Sequence, residues 1–285
     1  MTNYSDLFEQ FLQEKQYIGG VTPKTIRTYR DSWKAFQKYQ GSVTVPGVKA
    51  FVITAGVAGV SAGGINTFAR SVNSFLSWLH REGHISNALK IPKVKQAERI
   101  IQTYTAEQAS AILRIKPTTH TEHRLLTILA LLIDTGLRIN EALTLTRDRV
   151  DFDNLVIRVE GKGQKERIVP FSIEMRKVLF RWLAGHKRQL VFPTVDGRRL
   201  RYDNLRADFV ALLERNQIPK SEGCFHAFRR FAARQYLRNG GSIRYLQLLL
   251  GHADITTTTK YLDNDTDTLR SEHQRLSPLE SLKRR

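Results

Sequence analysis

The chain has 285 residues, 41% of them hydrophobic, with 45 Lys and Arg against 27 Asp and Glu and a single cysteine. That length and apolar content suit two modest domains with cores of their own and exclude a wholly disordered chain, while one cysteine, Cys224, excludes an internal disulfide and a cysteine-built metal cluster and fits a reducing cytoplasm. The net charge of +18 is spread out: residues 1–95 carry 12 basic against 5 acidic side chains (+7), and the remainder 33 against 22 (+11). Both halves are therefore expected to face the same polyanion, with nucleic acid as the first candidate. An anionic membrane surface is the rival. The sequence disfavours it, because no run of 18 apolar residues occurs and the chain opens on the polar Met1-Thr2-Asn3-Tyr4-Ser5-Asp6.

Tyr4, Leu7, Phe8, Phe11 and Leu12 recur at helical spacing. A second helix is predicted after Gly19-Gly20, with Thr22 as its cap, Pro23 at its first position and Ile26, Tyr29, Trp33 and Phe36 along one face. A shorter helix is predicted at 48–55. A long one is predicted at about 61–81, with Ile65, Phe68, Val72, Phe75, Leu76 and Leu79 on its face and Gly83 as its stop. These four helices predict an all-α domain over residues 1–90. The run from Lys90 to Arg99 has charge, one proline and no periodicity, so residues 91–102 read as a basic linker.

A second domain, 103–285, opens on the capping box Thr105-Ala106-Glu107-Gln108. An apolar helix through Leu125, Leu126, Ile128, Leu129, Leu132 and Ile133 is predicted to end at Thr135-Gly136. After Arg147 the period becomes β-like. Strands are predicted at 150–152 and 155–159 about the turn Asp153-Asn154, and at 167–170 beyond a glycine-flanked turn at 161–165. Helices resume at 172–184, 204–215, 226–238 and 242–250. The fold class expected is mainly α with a small antiparallel β-sheet, in two domains, one all-α with four helices and one mixed α+β.

No Asp, Glu and His arrangement has metal-ligand spacing. Residues 263–267 open like a calcium loop, but Thr268 stands where the sharp turn needs glycine and Gln274 where the bidentate glutamate belongs, so the segment reads as a solvated turn. No phosphate-binding Gly-x4-Gly-Lys-Ser/Thr run occurs. No metal and no cofactor is expected. Taken singly, the polar residues have ordinary readings. Arg138 is a helix-start arginine paired with Glu141. Lys162 is a solvated lysine between two glycines at a hairpin tip. His226 and Arg229 are a capping histidine and a surface arginine on one helix face. His252 is a helix-end histidine after Gly251, and Tyr261 a half-buried aromatic.

Jointly these residues form a set. In order along the chain stand Thr135-Gly136-Leu137-Arg138 with Glu141-Ala142-Leu143, then Gly161-Lys162-Gly163-Gln164-Lys165-Glu166-Arg167, then His226-Ala227-Phe228-Arg229, and finally Gln247 and Leu250-Gly251-His252 with Asp254, Thr257, Thr258 and Tyr261. On these motifs the chain resembles the tyrosine site-specific recombinases, that is the phage integrases and Xer-type recombinases, over nearly its whole length. One departure is Arg230, where the family often carries a second histidine after His-x-x-Arg; it could add a phosphate contact.

The resemblance implies a four-helix core-binding domain followed by a catalytic domain of the tyrosine recombinase type. It implies an enzyme, a DNA strand transferase that cuts and rejoins duplex DNA through a 3′-phosphotyrosyl intermediate without metal or ATP, for integration, excision or resolution, on mobile elements among other settings. Arg138, Lys162, His226, Arg229, His252 and Tyr261 are the implied catalytic residues, with Glu141 in support. Two guanidiniums, Arg138 and Arg229, would clamp non-bridging oxygens. Tyr261 would be the nucleophile, Lys162 the general acid, His226 the acid–base aid and His252 a donor to a non-bridging oxygen, with Glu141 orienting Arg138 or a histidine. Candidate DNA contacts by position are Lys24, Arg27, Asn66, Arg70, Lys93, Lys95, Arg198, Arg199, Arg201 and Arg244.

The implied partner is double-stranded DNA with inverted half-sites. It would be bound by a dimer per core site and a homotetramer in the synapse, with accessory DNA-bending proteins as further partners. No membrane association is expected, and the location expected is the cytoplasm, at the nucleoid. Leu269, Leu276 and Leu279 in the tail 263–285 either dock on a neighbouring protomer or belong to a frayed terminus. The rival functions are a non-catalytic DNA-binding regulator, a metal-dependent nuclease and a type IB topoisomerase-like relaxing enzyme.

Overall fold

A computed structural model describes residues 3–96, 103–160, 166–252, 254–259 and 261. The chain divides into two compact units, Met1–Arg99 and Ile100–Arg285.

The first unit carries α1 (Tyr4–Tyr17), α2 (Pro23–Lys38), α3 (Val45–Val57) and α4 (Ala62–Arg81). Each begins on a side-chain cap, from Asn3, Thr22, Thr44 and Ser61 respectively, which satisfies one of the backbone N–H groups left over at a helix start. α3 is longer than the predicted 48–55, because Thr44 accepts from the Gly47 N–H and a proline sits in the first turn. The core is aromatic. Phe75 meets Phe8 and Trp33 edge-on at ring-centre distances of 5.0 and 5.1 Å, and Trp78 donates to Glu14 Oε2 at 2.7 Å.

The segment after α4, expected to be linker from residue 91, is fastened to that helix. Ile91 is 1% exposed and packs in the core of the first unit. Asn73 accepts from the Ile91 N–H at 2.7 Å and donates to its carbonyl at 3.1 Å; Asn66, two turns earlier on the same face, does the same to Val94 at 2.9 and 2.9 Å. A carboxamide has the donor and acceptor of a peptide group, so the two asparagines hold an extended strand of chain as a β-partner would. The expected linker residues from 97 to 102 lie outside the described residues.

In the second unit the chain enters at Thr103, whose hydroxyl donates to the Ala227 carbonyl at 2.6 Å, and Tyr104 stacks on Phe228 at 4.6 Å. α5 (Ala106–Leu113) starts on the predicted Thr105–Gln108 capping box, with both reciprocal bonds made. α6 (His120–Thr135) is the central helix. Its leucines are buried on nearly every side, and it packs on α8 (Ile173–Ala184), α9 (Tyr202–Arg215) and α10 (Phe225–Arg238). After α6 come the short α7 (Ile139–Leu143) and an antiparallel sheet in the order β1 (Val150–Asp151), β2 (Val156–Glu160), β3 (Glu166–Pro170).

The strand predicted at 150–152 is one residue shorter and the one predicted at 155–159 starts and ends one residue later, because the Asp151 carboxylate closes the turn by accepting from the Asp153 and Asn154 N–H groups. Leu155 takes up the left-handed conformation (φ 56°) outside the ladder. The chain ends its described part with α11 (Ile243–Leu250) and one turn, α12 (Thr256–Thr259), which the run of four threonines did not predict. Asp254 opens that turn by accepting from the Thr256 N–H at 2.9 Å. Among the described residues no helix is long and apolar enough to cross a membrane.

Candidate active site

The site is built on the C-terminal end of α11. Gly251, in the left-handed conformation at φ 63°, ends that helix and turns its last carbonyls outward. Three successive carbonyls each accept from a different arginine. Leu249 takes Arg167 Nε at 3.1 Å, Leu250 takes Arg229 Nη2 at 2.6 Å, and Gly251 takes Arg138 Nη2 at 3.4 Å. The carbonyl end of a helix is its negative pole, so it is a fitting seat for cations. A second helix end adds to it. Gly136, also left-handed (φ 64°), closes α6 and offers its carbonyl to Arg229 Nη1 at 2.6 Å. A Cβ on Gly136 would come within 2.9 Å of Leu250, so that position serves both the turn and the close approach of the two helix ends.

Arg229 is only 5% exposed, and a buried cation is costly unless its donors are matched. Two helix-end carbonyls match two of them. Its guanidinium is nonetheless pushed down to about 10, by burial first and by the Arg138 charge next, with Glu141 and Tyr261 acting the other way. Arg138 is the more open arginine, standing before α7. Its backbone N–H reaches Glu141 Oε2 at 2.8 Å and its Nη1 reaches Glu141 Oε1 at 3.0 Å. The paired reading of Arg138 and Glu141 therefore holds together with their place in the site. Arg167 on β3 completes the group with a two-toothed fork onto Glu141, Nη1 to Oε1 at 2.8 Å and Nη2 to Oε2 at 2.9 Å. Burial alone would raise the Glu141 carboxyl. The Arg167 hydrogen bonds, and after them the Arg138 backbone, outweigh it and hold it below 4.5.

His252 follows the helix end. Its Nε2 lies 3.1 Å from Arg229 Nη2 and its Nδ1 2.9 Å from the Thr258 hydroxyl. Burial, and then the charges of Arg229, Arg138 and Arg167, push it down to about 4, so the ring is neutral at pH 7. An arginine only donates, so Nε2 accepts and the ring proton sits on Nδ1, directed at Thr258. In this state His252 offers no N–H to a phosphate oxygen. Tyr261 stacks on the His252 ring at 6.2 Å and packs against Ala233, Leu246 and Leu250. It also lies within electrostatic reach of Arg229 and Arg230. His226, in the first turn of α10, is lowered from 6.5 by burial, then by Arg229, Arg230 and Arg138.

Arg138, His226, Arg229, His252 and Tyr261 are thus brought together with Glu141, which faces two arginines and, among the described residues, accepts from no histidine. Lys162 lies outside the described residues, between β2 and β3 in the sequence. Arg167 and Thr258 were within the sequence motifs but had no role assigned.

The proposed DNA contacts fare unevenly. Lys24, Arg27, Arg70, Lys93, Lys95, Arg199 and Arg201 are exposed. Asn66 is half-buried with its carboxamide committed to Val94. Arg198 pairs with Asp196 at 2.8 Å, and Arg244 donates to Gln247 Oε1 at 2.7 Å. Among the described residues no group of three His, Cys, Asp or Glu side chains is placed to hold a metal ion.

Residues 102–268 match the phage integrase family, and the chain belongs to that family, the tyrosine recombinases. Over nearly its full length it is similar to the tyrosine recombinase XerC of Xylella fastidiosa (strain M23), at 30% identity over 277 residues, covering 92% of this chain and 93% of the relative. It is also similar to the tyrosine recombinase XerA of Thermococcus kodakarensis, at 27% identity, covering 96% and 95%. In fold it resembles the Tn1549 transposon integrase solved with transposon right end DNA, with a TM-score of 0.80 at 18% identity, covering 95% of this chain and 99% of that one. It likewise resembles a lambda integrase dimer bound to a COC′ core site, with a TM-score of 0.76 at 18% identity, covering 93% and 97%.

Proposed function

We propose that this chain is a site-specific DNA recombinase that cuts and rejoins duplex DNA through a 3′-phosphotyrosyl link formed by Tyr261. The observation that carries the reading is the convergence of Arg138, Arg229, His252 and Tyr261 on one helix end. A phosphodiester repels nucleophiles. Arg138 and Arg229, each with N–H groups beyond those bound to carbonyls, lower that barrier by meeting the charge that grows on the non-bridging oxygens. The Tyr261 oxygen attacks phosphorus, its proton passing to the neutral His226, and the bond to the 5′ oxygen breaks. Lys162 supplies the proton that oxygen takes up. The products are a phosphotyrosine on the 3′ end and a free 5′ hydroxyl. The 5′ hydroxyl of a second strand then attacks the phosphotyrosyl bond and returns Tyr261, so no ATP and no metal enters the balance. His252 becomes a donor to the phosphate if its Nε2 gains a proton, which a bound phosphate charge favours.

In the same reading, the first unit is the core-binding domain, with Ile91 and Val94 of the expected linker fastened to it, and 103–285 is the catalytic domain. Lys24, Arg27, Arg70, Lys93, Lys95, Arg199 and Arg201 touch DNA, with Arg198 and Arg244 available once their present partners release them. Asn66 leaves the set. The DNA carries inverted half-sites, each core site takes a dimer, and a homotetramer forms the synapse, with DNA-bending proteins assisting where sites are long. The enzyme works in the cytoplasm at the nucleoid, and the placement of its sites selects integration, excision or resolution. DNA-bound integrases among the fold neighbours support the partner.

The test uses nicked duplexes bearing inverted repeats selected by the protein from a randomised library, incubated in chelator. A denaturation-resistant protein–DNA complex is expected with the native chain and none with Tyr261→Phe, which should still bind. Cleavage to free ends that depends on added metal would overturn the reading.

A further inference from the structure

Resting on that reading, we infer that Arg167 is a positioning residue of the active site, the tie that fixes Glu141, and through it Arg138, to the same helix end that holds Arg229 and His252. The side chain is 13% exposed and its three nitrogen atoms are all engaged: Nε on the Leu249 carbonyl, Nη1 and Nη2 on the two oxygens of Glu141. It is therefore turned inward and does not face a substrate. Its partners are what give it a role. Among the described residues Glu141 is the only side chain bonded to the Arg138 guanidinium, and Leu249 immediately precedes the residue whose carbonyl holds Arg229. Without Arg167, Arg138 remains tied to the α11 end through a single bond of 3.4 Å to Gly251.

The backbone is fitted to this tie. A Cβ on Gly251 would fall 2.9 Å from Arg167 Cδ and 3.0 Å from its Nε, so the glycine that ends α11 also makes room for the arginine lying against it. The strand delivers Arg167 by alternation. Val169 and Arg167 share the inward face, and Ile168 between them is 63% exposed. Arg167 is also the second residue of β3, so the start of that strand is anchored at the arginine cluster.

Lysine cannot replace this geometry, since it offers one nitrogen where the tie uses three. The test compares the full-length chain with Arg167→Ala, Arg167→Lys, Glu141→Gln and the double variant Glu141→Gln with Arg167→Ala. DNA affinity is expected to be unchanged in Arg167→Ala, while single-turnover formation of the covalent complex slows about 100-fold, as a misplaced clamp would cause. Arg167→Lys should fall between. The double variant should be no slower than the slower single one, because both break one link.

A readout free of DNA is the titration of the Glu141 carboxyl by 13C NMR. It should sit below 4.5 in the native chain and move up in Arg167→Ala. The acid limb of the cleavage rate should then move to higher pH in that variant, since a protonated Glu141 lets Arg138 go. Native rates and an unmoved Glu141 titration in Arg167→Ala would overturn the inference. So would a loss of rate matched by an equal loss in a core variant of the same melting temperature, such as Phe209→Leu. Absence of any covalent complex with the native chain would instead remove the functional reading, and with it the positioning role, while the Glu141 titration would still report whether the tie exists.

Discussion

Two helix ends in the second unit are closed by arginine, and they are closed differently. At the end of α8 a single side chain, Arg147, takes the carbonyls of Leu183, His186 and Arg188, the first at 2.7 Å and the last at 2.8 Å. At the end of α11 three arginines share three carbonyls, one each. Arg147 spends Nε and Nη2 on one stretch of backbone. At α11 each carbonyl uses one N–H of its arginine, and Arg138 and Arg229 keep donors for a ligand. The same backbone chemistry therefore makes a structural cap in one place and a held cluster of cations in the other. What distinguishes them is that at α11 several guanidiniums converge, beside the titratable ring of His252 and the Tyr261 ring stacked on it.

Substitutions should separate the two ends. The largest effect belongs to Arg229→Ala, expected to slow covalent-complex formation by about 1,000-fold, in line with loss of a transition-state donor. Its measure is the single-turnover rate on a trapping duplex. Arg147→Ala should do the reverse. Three carbonyls lose a partner, and urea unfolding should report a loss of about 1–3 kcal/mol, while the cleavage rate measured well below the melting temperature stays native. An Arg147 variant that folds normally and fails to cleave would break the comparison. Next in size is Thr258→Val, which removes the acceptor that fixes the His252 ring and should cost about tenfold or less in cleavage.

The smallest effect is in stability against pH. His252 binds its proton at about 4 in the fold and near 6.5 when unfolded, so the unfolded chain takes up more protons between those values. Stability should fall as pH drops from about 6.5 towards 4. The slope, measured by urea unfolding at stepped pH, should be shallower in His252→Asn.

Much of this was legible along the chain. Helix starts were, because Thr22, Ser61 and Thr105 are local chemical signals that act within one turn. Arg138, His226, Arg229, His252 and Tyr261 were, because their motifs stand in order. Arg167 was not. Read by hydropathy, β3 would turn Ile168 inward and Arg167 outward, and the structure has the reverse, because the partner that draws Arg167 in, Glu141, lies 26 residues away. Asn66 shows the same limit from the other side. On a helix face it reads as a groove contact, and only the position of Val94 reveals that its amide holds the chain. Local rules find caps and periods. They do not find which distant carbonyl or carboxylate claims a donor.

The most direct test of the central claim is the chemical identity of the protein–DNA linkage. The covalent complex formed in chelator on a nicked duplex would be digested with protease and nuclease, and the nucleotide-bearing peptide sequenced by mass spectrometry. A nucleotide joined through its 3′ phosphate to Tyr261, with a 5′ hydroxyl on the released strand, is the result expected. A linkage to another residue, a 5′ phosphate attachment, or cut strands with no linkage at all would contradict it.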